Sequence, residues 1–434
     1  MKQILMQILS EWIARPLPAI LGREFKPDSY FSGETNKILV LTGFRRTGKT
    51  CIAYDYLQRL LKTGDRRRII YLNFEDERMP LQTEFLTGLL PAIKELFGEY
   101  PDYLFLDEIQ PIPLWSKWMR RIHETTGIKM LVTGSNSKMS SAEIPTELRG
   151  RFVEKRISPL TFREFLNFNG FKYDIRLLDY SSDVKAQIFS YLEEYLKYGG
   201  LPEVVLNDIS NKYDLIQGYF KTVVSRDISE KNKIKNTENL KALIKLLLNS
   251  KSITLTKLAN SLKSMNVNMG KNTVSEYLSY IESSYLFRFT ECFSYKVKDQ
   301  MQLPRKSYCI DNGFITYVST RVSDDKGWYY ELCVANELFR RHEDVYYWKS
   351  VQNNYEVDFV IREGAETTQL IQICFDIQNT DTLKREIRAL LTAANELKCR
   401  NLLIITGDTE KTGTFEWFGM KGKINFIPLW KWLL

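Results

Sequence analysis

Gly43-Phe44-Arg45-Arg46-Thr47-Gly48-Lys49-Thr50 fits the phosphate-loop pattern G-x-x-x-x-G-K-[ST] at every fixed position. The residues before it, Ile38 to Thr42, have the length and apolarity of a buried parallel strand. Those after it, Cys51 to Leu61, carry apolar side chains at helical spacing. The loop therefore lies between a strand and the start of a helix. There, backbone amides can surround phosphate oxygens and the helix N-terminus adds positive potential. Lys49 is placed to reach the β- and γ-phosphates, with the Thr50 hydroxyl as a ligand of Mg²⁺. Gly43, Arg45, Arg46, Thr47, Gly48 and Cys51 complete the expected contacts of a nucleoside triphosphate.

A second apolar run, Tyr103-Leu104-Phe105-Leu106, ends in Asp107-Glu108. A buried strand ending this way puts both carboxylates at the carboxyl edge of a sheet, where open α/β folds bind ligands. Asp107 is expected to hold Mg²⁺ through water, and Glu108 to orient or deprotonate an attacking water. A third strand, Lys129 to Thr133, leads into Ser135 and Asn136, either of which can sense a γ-phosphate. Two arginines, Arg149 and Arg151, flank Gly150. Their guanidinium groups suit the charge of a transferring phosphoryl group, from within one chain or across a subunit boundary, and they serve equally well as surface ion-pair partners.

At 434 residues the chain exceeds one ordinary core, so several domains are expected. No run approaches eighteen consecutive apolar residues, which gives no membrane span and no membrane partner. The apolar residues near the start (Ile4, Leu5, Ile8, Leu9, Trp12) are interleaved with polar ones, which suggests a short amphipathic helix and not a signal peptide. Cys51, Cys292, Cys309, Cys333, Cys374 and Cys399 form no CxxC pair, as expected of a protein in the reducing cytoplasm without a structural zinc.

Taken in order, the phosphate loop, Leu106-Asp107-Glu108-Ile109-Gln110, Thr133-Gly134-Ser135-Asn136-Ser137, Leu148-Arg149-Gly150-Arg151 and Ser158-Pro159-Leu160-Thr161-Phe162-Arg163-Glu164-Phe165 resemble the AAA-type ATPases of bacteria and archaea. The resemblance is to the archaeal-ATPase group related to STAND proteins, and it extends along essentially the whole chain. It implies ATP and Mg²⁺ as cofactors, a parallel-sheet core and a small helical lid. It also implies that Pro202, in Tyr198-Gly199-Gly200-Leu201-Pro202, approaches the adenine; locally that run is only a turn signal. The bulky, basic Phe44-Arg45-Arg46 is unusual for phosphate loops in general and typical of this group.

Between residues 231 and 306 there are 14 basic and 5 acidic side chains, an excess of nine against a whole-chain net charge of +8. Within this segment, 256–262 and 272–282 read as two helices around Gly270, followed by strand-like runs at 285–289 and 308–310. That succession describes a winged helix-turn-helix, and the resemblance implies the same. Lys271, Asn272, Thr273 and Ser275 open the second helix, and Lys296 and Lys298 lie in the wing. They are candidate contacts for double-stranded DNA. An internal role, packed against the nucleotide domain, fits the same residues.

After Gly327 a helix carrying Glu331 precedes strands carrying Asp358, then Gln372 and Cys374. The order resembles the PD-(D/E)xK nuclease fold that commonly follows the ATPase in this group. An active version of that site has an acid at position 372 and a lysine at 374. Glutamine is neutral and a thiol lacks the fixed positive charge of lysine, so the expectation is a retained fold without cleavage. Glu331 and Asp358 remain as two carboxylates for weak metal binding.

The expected architecture is multidomain α/β. Residues 1–157 form a P-loop AAA-type nucleotide-binding domain and 158–230 a helical lid. Residues 231–318 form the winged helix-turn-helix, and 319–434 a restriction-endonuclease-like domain. The leading function is an ATP-hydrolysing switch that couples nucleotide state to the later modules, with ATP or ADP, DNA, and a partner protein or second copy as candidate partners. The alternatives are a DNA-binding scaffold with structural nucleotide and negligible turnover, or an active metal-dependent nuclease.

Overall fold

The computed structural model describes residues 1–31, 37–134, 148, 150–174, 178, 180–296, 300, 303–319, 325–350, 353 and 355–434. Ser135, Asn136, Arg149 and Lys298 lie outside the described residues. Chain contacts divide the protein into two compact units, residues 1–158 with 283–285, and residues 159–282 with 286–434.

The first unit begins with the amphipathic helix α1 (Lys2–Ala14), which buries Leu5, Ile8, Leu9 and Trp12, and continues with the short α2 (Asp28–Phe31). The strand β1 (Ile38–Thr42) then leads through the phosphate loop into α3 (Lys49–Leu60). Next come β2 (Ile69–Asn73), α4 (Thr83–Phe97), β3 (Tyr103–Asp107), α5 (Trp115–Thr126), β4 (Lys129–Thr133) and β5 (Phe152–Arg156). All five strands are parallel, in the order β2-β3-β4-β1-β5. β1 is buried along its whole length, which explains why its sequence shows an unbroken apolar run and no alternation. In register, Asn73, Asp107 and Thr133 lie side by side at the carboxyl edge, beside Leu41 and Thr42 of β1.

The second unit opens with α6 (Phe162–Phe168), whose start explains Thr161-Phe162-Arg163-Glu164. Thr161 accepts from the Glu164 amide and the Glu164 carboxylate accepts from the Thr161 amide, each at 3.0 Å, a reciprocal cap. Helices α7 (Ser182–Tyr198), α8 (Pro202–Leu206) and α9 (Ile209–Thr222) follow, the last running into a π-helical segment, Val223–Glu230. α10 (Thr237–Leu248), β6 (Ser252–Ile253), α11 (Leu255–Ser264), α12 (Lys271–Ser283), β7 (Phe287–Thr290) and β8 (Arg305–Cys309) form the basic segment, with a small antiparallel sheet ordered β6-β8-β7.

After α13 (Asn312–Val318) and α14 (Lys326–Arg341) comes a separate six-stranded mixed sheet. It contains β9 (Asp344–Lys349), β10 (Glu356–Glu363), β11 (Glu366–Cys374), β12 (Leu402–Thr406), β13 (Lys411–Trp417) and β14 (Met420–Pro428), ordered β13-β14-β12-β11-β10-β9. α15 (Thr380–Leu397) connects the parallel pair β11 and β12 and packs on this sheet through Leu390, Leu391 and Ala393. The chain ends in α16 (Leu429–Leu433), with Trp430 buried.

Candidate nucleotide site

Three backbone positions with positive φ shape the phosphate loop: Gly43 at 130°, Arg46 at 68° and Gly48 at 89°. Gly43 is required by close approach as well as by φ, because a Cβ there would lie 2.2 Å from the Ile157 carbonyl oxygen. Thr47 is fully buried and donates to the Phe44 carbonyl at 2.9 Å, which ties the loop to itself. Gly48 precedes α3, and no side chain caps that helix, so its first-turn amides face the loop. Lys49 is buried, and its ammonium donates to the carbonyls of Gly43 at 3.0 Å and Phe44 at 2.9 Å. Its charge is thus held inside the curve of the loop.

The Thr50 hydroxyl donates to the Asp107 carboxylate, 3.1 Å from Oδ1 and 3.0 Å from Oδ2. Tyr71 donates to Oδ2 at 2.7 Å, and Thr133 donates to Oδ1. Burial pushes the Asp107 carboxyl above its ordinary range; hydrogen bonds from Thr133, Tyr71 and Thr50 act the other way, and the nearby Glu108 adds to the upward push. Glu108 itself has φ of 56°, the left-handed region. Its amide is held by Thr133, 3.1 Å from the carbonyl and 3.2 Å from the hydroxyl, and its carboxylate accepts from the Gln110 side-chain amide.

Of the other expected contacts, Arg45 pairs with Glu75 at 3.6 Å, Arg46 is exposed, and Cys51 continues α3. The structure does not bring Arg151 to the phosphate loop. Its carbonyl accepts from the Ile38 amide at 2.9 Å, at the amino end of β1, and its guanidinium pairs with Glu124 at 2.6 Å. Five residues of strand separate it from the loop, on the order of 15 Å. Within one chain, therefore, this arginine cannot touch the phosphates.

Several residues that shape the site escaped the sequence reading. Tyr71 stands among Ile69, Ile70 and Leu72 in β2, and only the register of β2 against β3 brings its hydroxyl to Asp107. Thr133 stands where the reading passed on to Ser135 and Asn136. Arg23 donates to the Thr47 carbonyl at 2.7 Å and to the Ser158 carbonyl at 3.1 Å, a bridge from upstream that leaves no local signal.

The group fits ATP with Mg²⁺ on this geometry. A hydroxyl and a carboxylate oxygen are hard donors of the kind Mg²⁺ takes, and a buried ammonium and an uncapped helix start stand beside them for phosphate oxygens.

In the second unit, Pro202 is the first residue of α8. The preceding glycines pack on Asp311: the Gly200 amide donates to Oδ2 at 2.7 Å and the Gly313 amide to Oδ1 at 2.9 Å. A Cβ on Gly199, whose φ is 79°, would lie 1.7 Å from Asp311 Oδ1. Lys271, Asn272 and Ser275 are exposed on the first turns of α12, Thr273 is half-buried, and Lys296 is exposed.

Glu331 and Asp358, the acidic pair expected from the nuclease resemblance, both face a cation of the protein. The Lys306 ammonium, buried, lies 2.8 Å from Asp358, 3.0 Å from Glu331 and 3.0 Å from Glu356. Burial pulls the lysine's pKa down, but Asp358, Glu331, Tyr308 and Glu356 more than offset this and hold it well above the ordinary value. Gln372 donates to Glu386 at 2.6 Å and accepts from the Asp358 amide at 3.1 Å; Cys374 is buried, its thiol pushed up by burial to about 11. The two carboxylates expected to remain for a metal are thus held by a cation of the protein, one ammonium set among three acidic groups. Among the described residues no cluster of histidine, cysteine and carboxylate side chains suits a metal ion.

Residues 35–166 match an AAA domain. Residues 190–325 and 326–431 match two domains of unknown function, DUF8612 and DUF4143. The uncharacterized protein MJ1544 of Methanocaldococcus jannaschii is 36% identical over 409 residues, covering 92% of this chain and 88% of that protein. An uncharacterized protein of Haemophilus influenzae is 30% identical over 358 residues, covering 80% and 85%. Among solved structures, the chain is similar to the Walker-type ATPase PABY2304 of Pyrococcus abyssi over 73% of its own length and 95% of that chain, at 12% identity and a TM-score of 0.41. No helix among the described residues is long and apolar enough to cross a membrane.

Proposed function

This chain belongs to one family with MJ1544 and the Haemophilus protein, and from its AAA-domain match over residues 35–166 we propose that it is an ATP-binding, ATP-hydrolysing switch. The observation that carries the reading is the convergence of Lys49, Thr50 and Asp107 at one edge of the parallel sheet.

In this reading Lys49 and the first-turn amides of α3 bind the β- and γ-phosphates, assisted by the rest of the loop. Thr50 and Asp107 hold Mg²⁺, which when bound neutralises developing phosphate charge. Glu108 orients the attacking water and takes its proton; its left-handed backbone aims the carboxylate, and Gln110 steadies it. Ser135 or Asn136 senses the γ-phosphate, and Pro202 approaches the adenine. With Arg151 at the amino edge of the sheet, a phosphate role for this arginine is one toward a second copy of the chain.

The finer architecture is also a proposal: a nucleotide domain over 1–157, a lid over 158–230, a winged helix over 231–318 and a nuclease-like domain over 319–434. The helix pair α11 and α12 followed by β7 and β8 supports the winged helix. The exposed Lys271, Asn272 and Ser275 support contact with double-stranded DNA. The acidic cluster already paired with Lys306 supports a docking role for the last module without cleavage. Six free cysteines support a cytoplasmic site of action. Binding of ATP shifts the equilibrium between two arrangements by its differential affinity for them, and hydrolysis reverses the shift.

Steady-state phosphate release with and without DNA tests the reading. Turnover that disappears in Glu108→Gln while ATP binding persists supports it; a wild-type protein that binds ATP without turnover reduces it to a scaffold with structural nucleotide.

A further inference from the structure

A carboxylate has about four lone-pair positions, and on Asp107 three separate hydroxyls compete for them. Thr50 reaches both oxygens, Thr133 reaches Oδ1, and Tyr71 reaches Oδ2 at 2.7 Å. The two threonines belong to the phosphate loop and to the strand that leads toward the proposed sensor residues. The tyrosine comes from β2, on the far side of β3, where a strand of Ile69, Ile70 and Leu72 needs no polar atom for packing.

The phenol is also fixed in place. Its ring lies 4.6 Å from that of Tyr54 and 5.7 Å from that of Trp12, centroid to centroid. Trp12 donates to the Ile69 carbonyl at 2.9 Å, and the Arg66 guanidinium covers its ring at 4.3 Å. A phenylalanine would fill the same aromatic column. The hydroxyl is therefore the part of Tyr71 that packing does not require, and burying it is unfavourable unless it is hydrogen-bonded. A bond to an ionised carboxylate is about twice as strong as one between neutral groups.

We infer that Tyr71 is a positioning residue: its hydroxyl fixes the Asp107 carboxylate beside Thr50 and so sets how much Mg²⁺ strengthens ATP binding. The inference rests on the nucleotide reading above and adds to it a residue outside the phosphate loop and the Asp-Glu strand. Because the Tyr71 hydroxyl bonds the carboxylate proposed to hold the metal, its effect falls on the metal-dependent part of the affinity.

The test uses the full chain and Tyr71→Phe, titrated with a fluorescent ATP analogue once in EDTA and once in excess Mg²⁺. The variant should bind within twofold of wild type in EDTA, while the gain on adding Mg²⁺ falls about tenfold. In an Asp107→Asn background the same substitution should change nothing further. An unchanged Mg²⁺ gain overturns the inference, as does an equal loss in both conditions, which marks a packing defect. An added loss in the Asp107→Asn background also overturns it, because Tyr71 would then act elsewhere. Wild-type protein that binds no ATP in either condition sinks the nucleotide reading instead, so the two failures are distinguishable.

Discussion

Thr50 and Asp107 are 57 residues apart in the chain, yet the threonine hydroxyl lies 3.0 and 3.1 Å from the two oxygens of the carboxylate. The parallel register makes this possible: β1 delivers the loop and β3 delivers the acid to the same edge, with β4 between them. A hydroxyl that donates its proton to a carboxylate keeps lone pairs for a cation, which is the arrangement Mg²⁺ with a triphosphate calls for.

Lys49→Ala should abolish ATP binding, read as at least a hundredfold loss of affinity in a fluorescence titration. It should also lower stability, because the Gly43 and Phe44 carbonyls lose a buried donor; a group left unsatisfied in this way costs about 1–3 kcal/mol. Chemical denaturation of the nucleotide-free protein measures the second effect. Unchanged affinity would remove Lys49 from the site.

Glu108→Gln should bind ATP with near wild-type affinity and turn over on the order of 10²–10⁴-fold more slowly, the range for loss of a positioned general base. A phosphate-release assay and a binding titration on the same preparation separate the two quantities. Unchanged turnover would assign the water-activating role to another group.

The legible part of this molecule was what adjacent residues carry. The phosphate loop, the buried strands 38–42, 103–107 and 129–133, and the helix carrying Leu5, Ile8, Leu9 and Trp12 all follow from local pattern. What escaped depends on register and on distant segments. Arg151 read equally as a phosphate-facing arginine or a surface ion-pair partner, because sequence gives no sign of its place along the sheet; pairing of Ile38 with Phe152 puts it at the amino edge, where it pairs with Glu124. Lys306 read as one more residue of a basic segment, and only the packing of β8 against α14 and β10 shows it paired with Glu331, Glu356 and Asp358.

Lys306→Met should destabilise the second unit strongly. Removing the partner of a buried ion pair leaves uncompensated charge and costs about 3–5 kcal/mol, here with three carboxylates exposed to one another. Denaturant unfolding reads the loss. Wild-type protein with Mg²⁺ or Mn²⁺ should leave plasmid DNA uncut; cutting that Asp358→Ala abolishes would show the cluster to be an active nuclease site.

Asp311 gives a pH signature. Burial raises its carboxyl from 3.8 to about 7, with the Gly200 and Gly313 amides acting in the opposite direction. The folded state thus holds this proton more tightly than the unfolded chain, and the associated stability, full below about pH 4, is lost as pH rises toward 7. In Asp311→Asn that titration is absent, so the stability of wild type minus that of the variant should fall from pH 4 to pH 7, whichever protein is the more stable at pH 4. A difference that is constant or rises over that window contradicts the assignment.

If α12 contacts DNA, binding should weaken linearly with the logarithm of salt concentration. Lys271→Ala should then reduce the slope by about one for a single lost phosphate contact, alike across sequences. Affinity that also differs between the ATP-bound and nucleotide-free protein would tie this surface to the switch; absence of binding at low salt would leave α12 an internal role.

The most direct measurement is calorimetric titration of ATP into the full chain, with and without Mg²⁺, beside Lys49→Ala. One saturable site, strengthened by Mg²⁺ and lost in the variant, is the predicted result. No saturable heat in the wild type, or the same binding in Lys49→Ala, would contradict a pocket built from Lys49, Thr50 and Asp107.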